Sequence, residues 1–115
     1  MAKVLIAGTV EIAPEKRDVA LREAQPLIEE ALGEPGCLAY VWTADPFEPG
    51  RIHVFEEWED EATLSTHLTA PSYVKMLAHL GAAGIRSAVT RKFRVDREAP
   101  VYDENGTPRG DFATG

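Results

Sequence analysis

The stretch Glu34-Pro35-Gly36-Cys37-Leu38-Ala39-Tyr40-Val41-Trp42 decides the fold of this chain. Its Pro-Gly pair breaks a preceding helical pattern, and the apolar run that follows predicts a strand over 37–44. A second strand is predicted over 51–58, after a loop rich in turn residues. Asp60 is then a good N-cap for a short helix that carries His67. This order places aromatic and titratable side chains on neighbouring elements, where they can line one pocket.

The rest of the chain surrounds this segment with further strands and helices. Alternating apolar residues predict a first strand over 3–12, and Pro14 suits the first turn of the helix that follows. Pro26 lies inside that helical run, so we expect a kink or a break near Gln25. A later helix starts at Pro71, and the last strand is predicted over 86–95. The order β-α-β-β-α-β predicts an α+β, ferredoxin-like domain with one four-stranded antiparallel sheet.

The apolar pattern of the first strand indicates that both faces of the sheet are covered. Apolar residues occur there at both parities, whereas the helices of such a domain pack on one face only. A second subunit is the simplest cover for the other face, so we expect a homodimer. We expect residues 1–95 to form the domain and residues 96–115 to form a C-terminal tail that is either mobile or a dimer arm.

Length and charge exclude several classes of function. A chain of 115 residues has room for one core. Its 19 acidic and 12 basic residues give a net charge of −7, which repels phosphate, so we expect no nucleic-acid partner. No apolar run is long enough to span a membrane, and no signal peptide is apparent. Because the single Cys37 cannot form an internal disulfide, we expect a reducing, cytoplasmic environment.

No motif in the sequence predicts a metal ion or a cofactor. His53, His67 and His79 are scattered, without the close spacing of structural zinc sites. The glycines form no phosphate-binding loop, and no serine lies in a nucleophile-elbow motif. We therefore expect the chain to bind neither metal, haem, flavin nor nucleotide.

His67 is the strongest candidate for a catalytic residue. It shares one side of its helix with Leu64 and Leu68, so we expect its imidazole to face inward, at the wall of an apolar cavity. Desolvation there favours the neutral imidazole, which can accept a proton as a general base. The alternative is a histidine at the edge of the core that is hydrogen-bonded to the backbone.

Aromatic residues supply most of the other candidates. Trp58 and Tyr40 carry hydrogen-bond donors on the elements next to His67, so we place them with it as catalytic candidates. Most such residues pack in a core or an interface, and that alternative stays open. Glu56 and Glu57 point to opposite faces of their strand, so only one of them can face the pocket. The predicted substrate-binding residues are Trp42, Tyr73, Glu57, Leu64 and Leu77.

Two segments together resemble the antibiotic biosynthesis monooxygenase (ABM) domain family. The first is residues 34–40, Glu-Pro-Gly-Cys-Leu-Ala-Tyr, and the second is residues 55–64, Phe-Glu-Glu-Trp-Glu-Asp-Glu-Ala-Thr-Leu, followed by His67. The resemblance covers residues 3–95 and leaves the tail unmatched. It implies a dimeric α+β barrel, in which two ferredoxin-like sheets pack face to face.

The resemblance also implies a chemistry. Several members of the family oxidise quinols or polycyclic phenols with O2 and use neither metal nor flavin. A neutral phenol reacts slowly with triplet O2, whereas its phenolate gives up an electron far more readily. Such an enzyme needs an apolar pocket, a base and donors for the oxyanion. The implied partners are therefore a small aromatic substrate and O2, with His67 as the base.

Haem-degrading relatives of the same fold have a pattern that this sequence lacks. Those enzymes use an asparagine on the first strand, a tryptophan in the second helical region and a histidine ligand further along. Here the first strand contains no asparagine, and the two later positions fall at His67 and Leu77. The sequence therefore disfavours haem degradation.

Three functions stay open on the sequence alone. The first is a cofactor-independent monooxygenase of the ABM type. The second is a related barrel enzyme with isomerase, cyclase or decarboxylase activity, and the third is a non-catalytic domain that binds a small molecule. Consumption of O2 separates the first from the others, and a buried His67 favours either enzyme over the binding domain.

Overall fold

Four strands and four helices follow one another in the order that the sequence predicts. The computed structural model describes residues 2–112. The strands are β1 (Val4–Ile12), β2 (Cys37–Ala44), β3 (Arg51–Trp58) and β4 (Ile85–Arg94). The helices are α1 (Arg17–Glu23), α2 (Gln25–Leu32), α3 (Glu61–His67) and α4 (Pro71–Ala82), and a 3-10 turn covers Pro14–Lys16. The predicted α+β, ferredoxin-like class is confirmed.

Pro26 separates α1 from α2, as its position in the helical pattern predicts. Because proline has no N–H to donate, the helix cannot continue unbroken through it. The chain instead ends α1 at Glu23 and restarts at Gln25, with Pro26 in the first turn of α2. The two short helices can therefore follow the curvature of the sheet beneath them.

All four strands form one antiparallel sheet in the order β2-β3-β1-β4. A bulge in β2 between Cys37 and Ala39 changes the register against β3, so that Cys37 pairs with Trp58 and Ala39 with Glu57. Because the bulge adds one residue, Cys37 and Tyr40 face the same side of the sheet. That side is the one on which the helices pack.

The helices and the sheet enclose two neighbouring apolar clusters. The first is built on Val10, Ile52 and Val54 and packs against α1 and α4. The second is built on Val4 and Trp58 and packs against α2 and α3. The candidate site lies in the second cluster.

The other face of the sheet is uncovered in the single chain. Its large apolar side chains are between 39% and 58% exposed, namely Val41, Phe55, Val89 and Phe93. The pairing register places these residues on one face of the sheet, opposite the face on which the helices pack. We call this surface the open face.

Gly36→Ala should destabilise the fold. Gly36 has a φ of 82°, a left-handed backbone that side chains oppose. A Cβ there would also overlap the side chain of Thr63 in α3. We therefore expect the free energy of unfolding to fall by about 1–3 kcal/mol, as measured by urea denaturation.

Gly81→Ala is the matched control, because no atom lies within 4 Å of a Cβ at that position in α4. There we expect a gain of roughly 0.5–1 kcal/mol from the better helix propensity of alanine. Equal urea midpoints for Gly36→Ala and the wild type would contradict the prediction.

Candidate active site

The turn between α2 and β2 directs the carboxylate of Glu34 into the domain. Gly36 reverses the chain there, and its carbonyl accepts a hydrogen bond from the backbone N–H of Glu59 at 2.8 Å. This bond joins the turn to the end of β3. The side chain of Glu34 is consequently only 18% exposed. The Glu-Pro-Gly-Cys segment thus positions the Glu34 carboxylate against α3 and α4.

Glu34 holds one side chain from each of two helices. Its Oε1 lies 2.7 Å from Nδ1 of His67, the last residue of α3. Its Oε2 accepts a hydrogen bond from the hydroxyl of Ser72, in the first turn of α4. Because an ionised carboxylate only accepts hydrogen bonds, we assign the proton to Nδ1. Glu34 therefore sets both the orientation and the tautomer of the imidazole.

Three aromatic rings surround His67. Its ring centroid lies 4.6 Å from that of Trp58, 5.4 Å from that of Tyr40 and 5.6 Å from that of Tyr73. Trp58 is fully buried, and His67 is 1% exposed. We call Glu34, Tyr40, Trp58, His67, Ser72 and Tyr73 the histidine cluster.

Two buried nitrogens at this place have no hydrogen-bond partner within residues 2–112. They are Nε2 of His67 and Nε1 of Trp42. The ring of Tyr40 lies near both side chains, with its centroid 6.2 Å from that of Trp42. An unpartnered buried polar group costs about 1–3 kcal/mol, so such atoms mark a position for a ligand or a water molecule. With Nδ1 bonded to Glu34, the free Nε2 is an acceptor, and the indole N–H is a donor.

Burial changes the acidity of two residues beside the imidazole. It raises the pKa of Glu56, while the hydrogen bond from Trp58 Nε1 to Glu56 Oε1 at 2.9 Å and the nearby His67 lower it. Burial also raises the pKa of Tyr40 far above its usual range, and the Glu56 carboxylate adds to this effect. The Trp42 indole lies near enough to lower the pKa of Tyr40 somewhat, without a well-aligned hydrogen bond. Tyr40 therefore stays a neutral phenol and acts as a donor, not as a base.

A groove of about 410 Å³ lies beside the histidine cluster, between α3 and β4. Its volume is within the range of small-molecule sites, about 300–1,000 Å³. Its lining residues are Val4, Glu61, Leu64, Ser65, Leu68, Lys92 and Arg94. Leu64 belongs to both places, because it also packs in the apolar cluster with Trp58. The groove and the apolar cluster that contains Trp58 therefore share two aliphatic side chains, Val4 and Leu64.

The groove carries positive charge on its β4 side. Arg94 is paired with Glu61 of α3 at 3.1 Å. Within residues 2–112, no carboxylate lies within ion-pair distance of Lys92, which lines the same wall. In a chain of net charge −7, this is a local basic and apolar surface.

The three histidines lie on different elements, with His53 on β3, His67 on α3 and His79 on α4. Within residues 2–112, the His, Cys, Asp and Glu side chains form no group of three that could hold a metal ion. No helix in that part of the chain is long and apolar enough to cross a membrane.

The sequence pattern described as antibiotic biosynthesis monooxygenase matches residues 3–79. The chain belongs to the antibiotic biosynthesis monooxygenase family. The match runs from β1 into α4 and includes every residue of the histidine cluster. The resemblance that the two sequence segments indicate is therefore confirmed.

Individual relatives are distant from this chain. A Synechocystis protein named uncharacterized protein sll1783 is 30% identical over 70 residues, which are 61% of this chain and 48% of that protein. The chain thus spans about half the length of that relative. A solved antibiotic biosynthesis monooxygenase is 29% identical, with a TM-score of 0.67 over 86% of this chain and 100% of its own. A conserved protein from Methanosarcina mazei Go1 is 24% identical, with a TM-score of 0.73 over 82% of this chain and 93% of its own, and shows the fold alone.

The structure brings together most of the side chains that the sequence proposes for the ABM site. The ring centroids of Tyr40, Trp58 and Tyr73 each lie within 5.6 Å of the His67 ring centroid. Leu64 lies between this group and the groove, and Trp42 adjoins Tyr40.

Glu57 is not part of the site, which corrects its prediction as a substrate-binding residue. Its side chain lies on the open face and pairs with Lys3 at 3.4 Å. Successive residues of a strand point to opposite faces, so the inward Trp58 also turns Glu56 inward. Glu56 is accordingly 6% exposed and bonded to Trp58.

Two leucines also lie elsewhere than predicted. Leu77 is 51% exposed, because the inward stripe of α4 is Ser72, Met76 and Leu80, and the residue after Met76 is rotated outward. Leu68, the residue that follows α3, is 42% exposed, on the wall of the groove. His67 itself is enclosed by side chains and is not among the residues that line the groove.

Sequence reasoning missed three polar members of the site. Glu34 and Ser72 are separated from each other by 38 positions and from His67 by 33 and five, so no local pattern pairs them. The available signal was that Glu34 begins the motif on which the family resemblance rests. The third is Glu56, which faces the site where the sequence analysis predicts Glu57. The alternative of a histidine bonded to the backbone is wrong, since the partner is a carboxylate.

Glu56→Gln should stabilise the protein and flatten its pH dependence. The native pKa of Glu56 is raised, so the native state holds this proton more tightly than the unfolded state does. Stability therefore falls as the pH rises from the ordinary carboxyl range through the raised native pKa. Glutamine still accepts the hydrogen bond from Trp58 but carries no charge.

Urea denaturation over roughly pH 4 to pH 8 measures this slope. Glu57→Gln is the matched control one residue away, where a surface ion pair contributes little. Identical slopes for Glu56→Gln and the wild type would count against the assignment.

Proposed function

We propose that this member of the ABM family is a cofactor-independent monooxygenase that oxidises a quinol or a polycyclic phenol with O2. One observation carries the proposal: Glu34 holds Nδ1 of His67, while the buried Nε2 has no partner among residues 2–112. An imidazole in that state is suited to accept the proton of a phenol. The name of the solved relative, antibiotic biosynthesis monooxygenase, supports the reaction class.

In the first proposed step, the phenol O–H of the substrate donates its proton to Nε2 of His67. The resulting imidazolium keeps its Nδ1–H on Glu34, so the positive charge forms 2.7 Å from a carboxylate oxygen. The Trp58 ring, 4.6 Å away, adds a cation–π contribution. The unpartnered N–H of Trp42 is a donor available to the phenolate oxygen.

Deprotonation prepares the substrate for O2. The phenolate transfers one electron to O2, and the phenoxyl radical and superoxide combine to a peroxide on a ring carbon that bears hydrogen. Loss of water converts this peroxide into a carbonyl, so one oxygen atom stays in the quinone product and the other leaves as water. The O–H and C–H bonds of the substrate supply all four electrons.

The groove between α3 and β4 is the proposed entry site. Its leucines can pack against an aromatic ring of the substrate. His67 is 1% exposed, so access to Nε2 requires a side chain to move. Leu64 contacts both places, and a change of its rotamer is the shortest route between them.

We also propose that two chains form a homodimer through their open faces. Packing two such faces together covers apolar side chains such as Val41 and Phe55 and forms the dimeric barrel that the family resemblance implies.

His67→Gln should lower turnover by about 10²–10⁴-fold, the usual contribution of a general base. An oxygen electrode with a panel of quinols and anthrones measures the rate, and circular dichroism monitors the fold. Glu34→Gln should also lower turnover, because an amide can bind either tautomer of the imidazole.

His53→Gln is the matched control, because His53 is paired with Asp45 at 2.6 Å on the face of the sheet opposite the histidine cluster. Full O2 turnover by a folded His67→Gln protein would remove His67 from the reaction. A protein that converts or binds these compounds without consuming O2 would instead indicate the barrel isomerases or the binding domain.

Phe55→Glu should dissociate the homodimer, since it places a charge in the centre of an apolar interface. Light scattering of the wild type should give twice the 12.6 kDa chain mass, and the variant should give the single mass. Val74→Glu, on the exposed side of α4, is the control and should stay dimeric. A wild type that stays monomeric at micromolar concentration would disprove this assembly.

A further inference from the structure

Residues 96–112 form an arm outside the part of the chain that the family pattern matches. The arm contains a hairpin over 101–109, in which the carbonyl of Val101 accepts from the N–H of Arg109 at 2.8 Å. At its turn, Oδ1 of Asp103 accepts from the backbone N–H of Asn105 and of Thr107, both at 2.9 Å. We call residues 101–109 the C-terminal hairpin. Its own hydrogen bonds give it a defined shape.

The C-terminal hairpin is not packed on its own domain. Val101 is 61% exposed and Tyr102 is 63% exposed, and Phe112 beyond them is 51% exposed. The radius of gyration is 16.1 Å, whereas a compact chain of this length has about 13 Å. An isolated two-stranded hairpin is marginal in water. A surface on another molecule is therefore needed to cover these apolar side chains.

Strand β4 has the complementary character. It lies at the edge of the sheet, and all of its residues are exposed. Its four charged residues are all basic, whereas residues 96–112 contain five acidic residues and two basic ones. On the open face, the apolar Val89 and Phe93 flank Arg91. Apolar and acidic residues of the arm thus match apolar and basic residues of β4.

We propose that the C-terminal hairpin of one copy docks along β4 of a second copy. The inference rests on the proposed homodimer through the open face. Lys3 bonds both Glu98 of the arm, at 3.1 Å, and Glu57 of the open face, at 3.4 Å, so the arm starts beside that interface. A second copy on the open face therefore lies within its reach. The twofold symmetry of a dimer makes the exchange reciprocal.

In the docked state, the apolar residues of the hairpin pack at the rim of the sheet-to-sheet interface. Tyr102 and Val101 lie against Val89 and Phe93 of the partner strand, and the acidic side chains of the arm lie near its arginines. The contact covers both the exposed hairpin and the free edge of β4, which is otherwise open to pairing with other chains.

Disulfide trapping between two differently labelled chains tests the docking. In a Cys37→Ser background, one chain carries Tyr102→Cys and the other carries Val89→Cys, and the two are mixed under mild oxidation. Docking raises the effective concentration of the two thiols, so the mixed disulfide should form at least roughly 10²-fold faster than with a non-docked control. The control replaces Val89→Cys by Val74→Cys, which is equally exposed on α4. Mass spectrometry identifies the mixed product.

Equal trapping rates for the Val89→Cys and Val74→Cys partners would overturn the docking. Light scattering of the same samples separates the two proposals. A dimer without selective trapping overturns the hairpin contact and leaves the open-face dimer intact, whereas a monomer overturns both. Oxygen turnover enters neither measurement, so a failure of the proposed enzyme activity is recognised independently.

Discussion

The hydrogen-bonded carboxylate of Glu34 joins the turn before β2 to residues of two helices, 33 and 38 positions further along the chain, and the arrangement of the site depends on it. From the turn before β2 it holds His67 at the end of α3 and Ser72 at the start of α4. Burying an acid and an imidazole together removes solvation from both, and only their mutual hydrogen bonds offset this loss. Removing one partner would leave the other buried and unpaired, so the three elements are held in one relative position.

The surrounding rings have a structural and a chemical role at once. Trp58 and Tyr40 are part of the apolar core cluster and also enclose the imidazole. In this weakly polar environment, the carboxylate acts on the imidazole more strongly than it would in water. The same packing makes His67 almost inaccessible, so the site is rigid at the cost of easy entry. In the proposed mechanism, a rotation of the Leu64 side chain gives the substrate access to the imidazole while the rest of the site stays in place.

The basic residues of β4 make the charge distribution of this acidic protein uneven. The chain has a net charge of −7, yet β4 carries Arg86, Arg91, Lys92 and Arg94 and no acidic residue. Two of these cations line the groove, and Arg91 lies on the open face. Charged side chains also protect an exposed edge strand from unwanted pairing. One strand therefore carries basic side chains on both faces of the sheet.

The sequence by itself determined the order of the elements and the family. Those signals are local: Pro26 breaks a helix at its own position, Asp60 caps α3 with its own side chain, and strand alternation needs only nearby residues. The tertiary structure alone decided which of Glu56 and Glu57 faces inward, since alternation gives the relative phase of a strand but not the face that the helices cover. It also decided the partner of His67, because Glu34 is 33 residues away and reaches the imidazole only after α3 has packed against the turn. Long-range contacts of this kind are set by packing between elements, which no short-range pattern records.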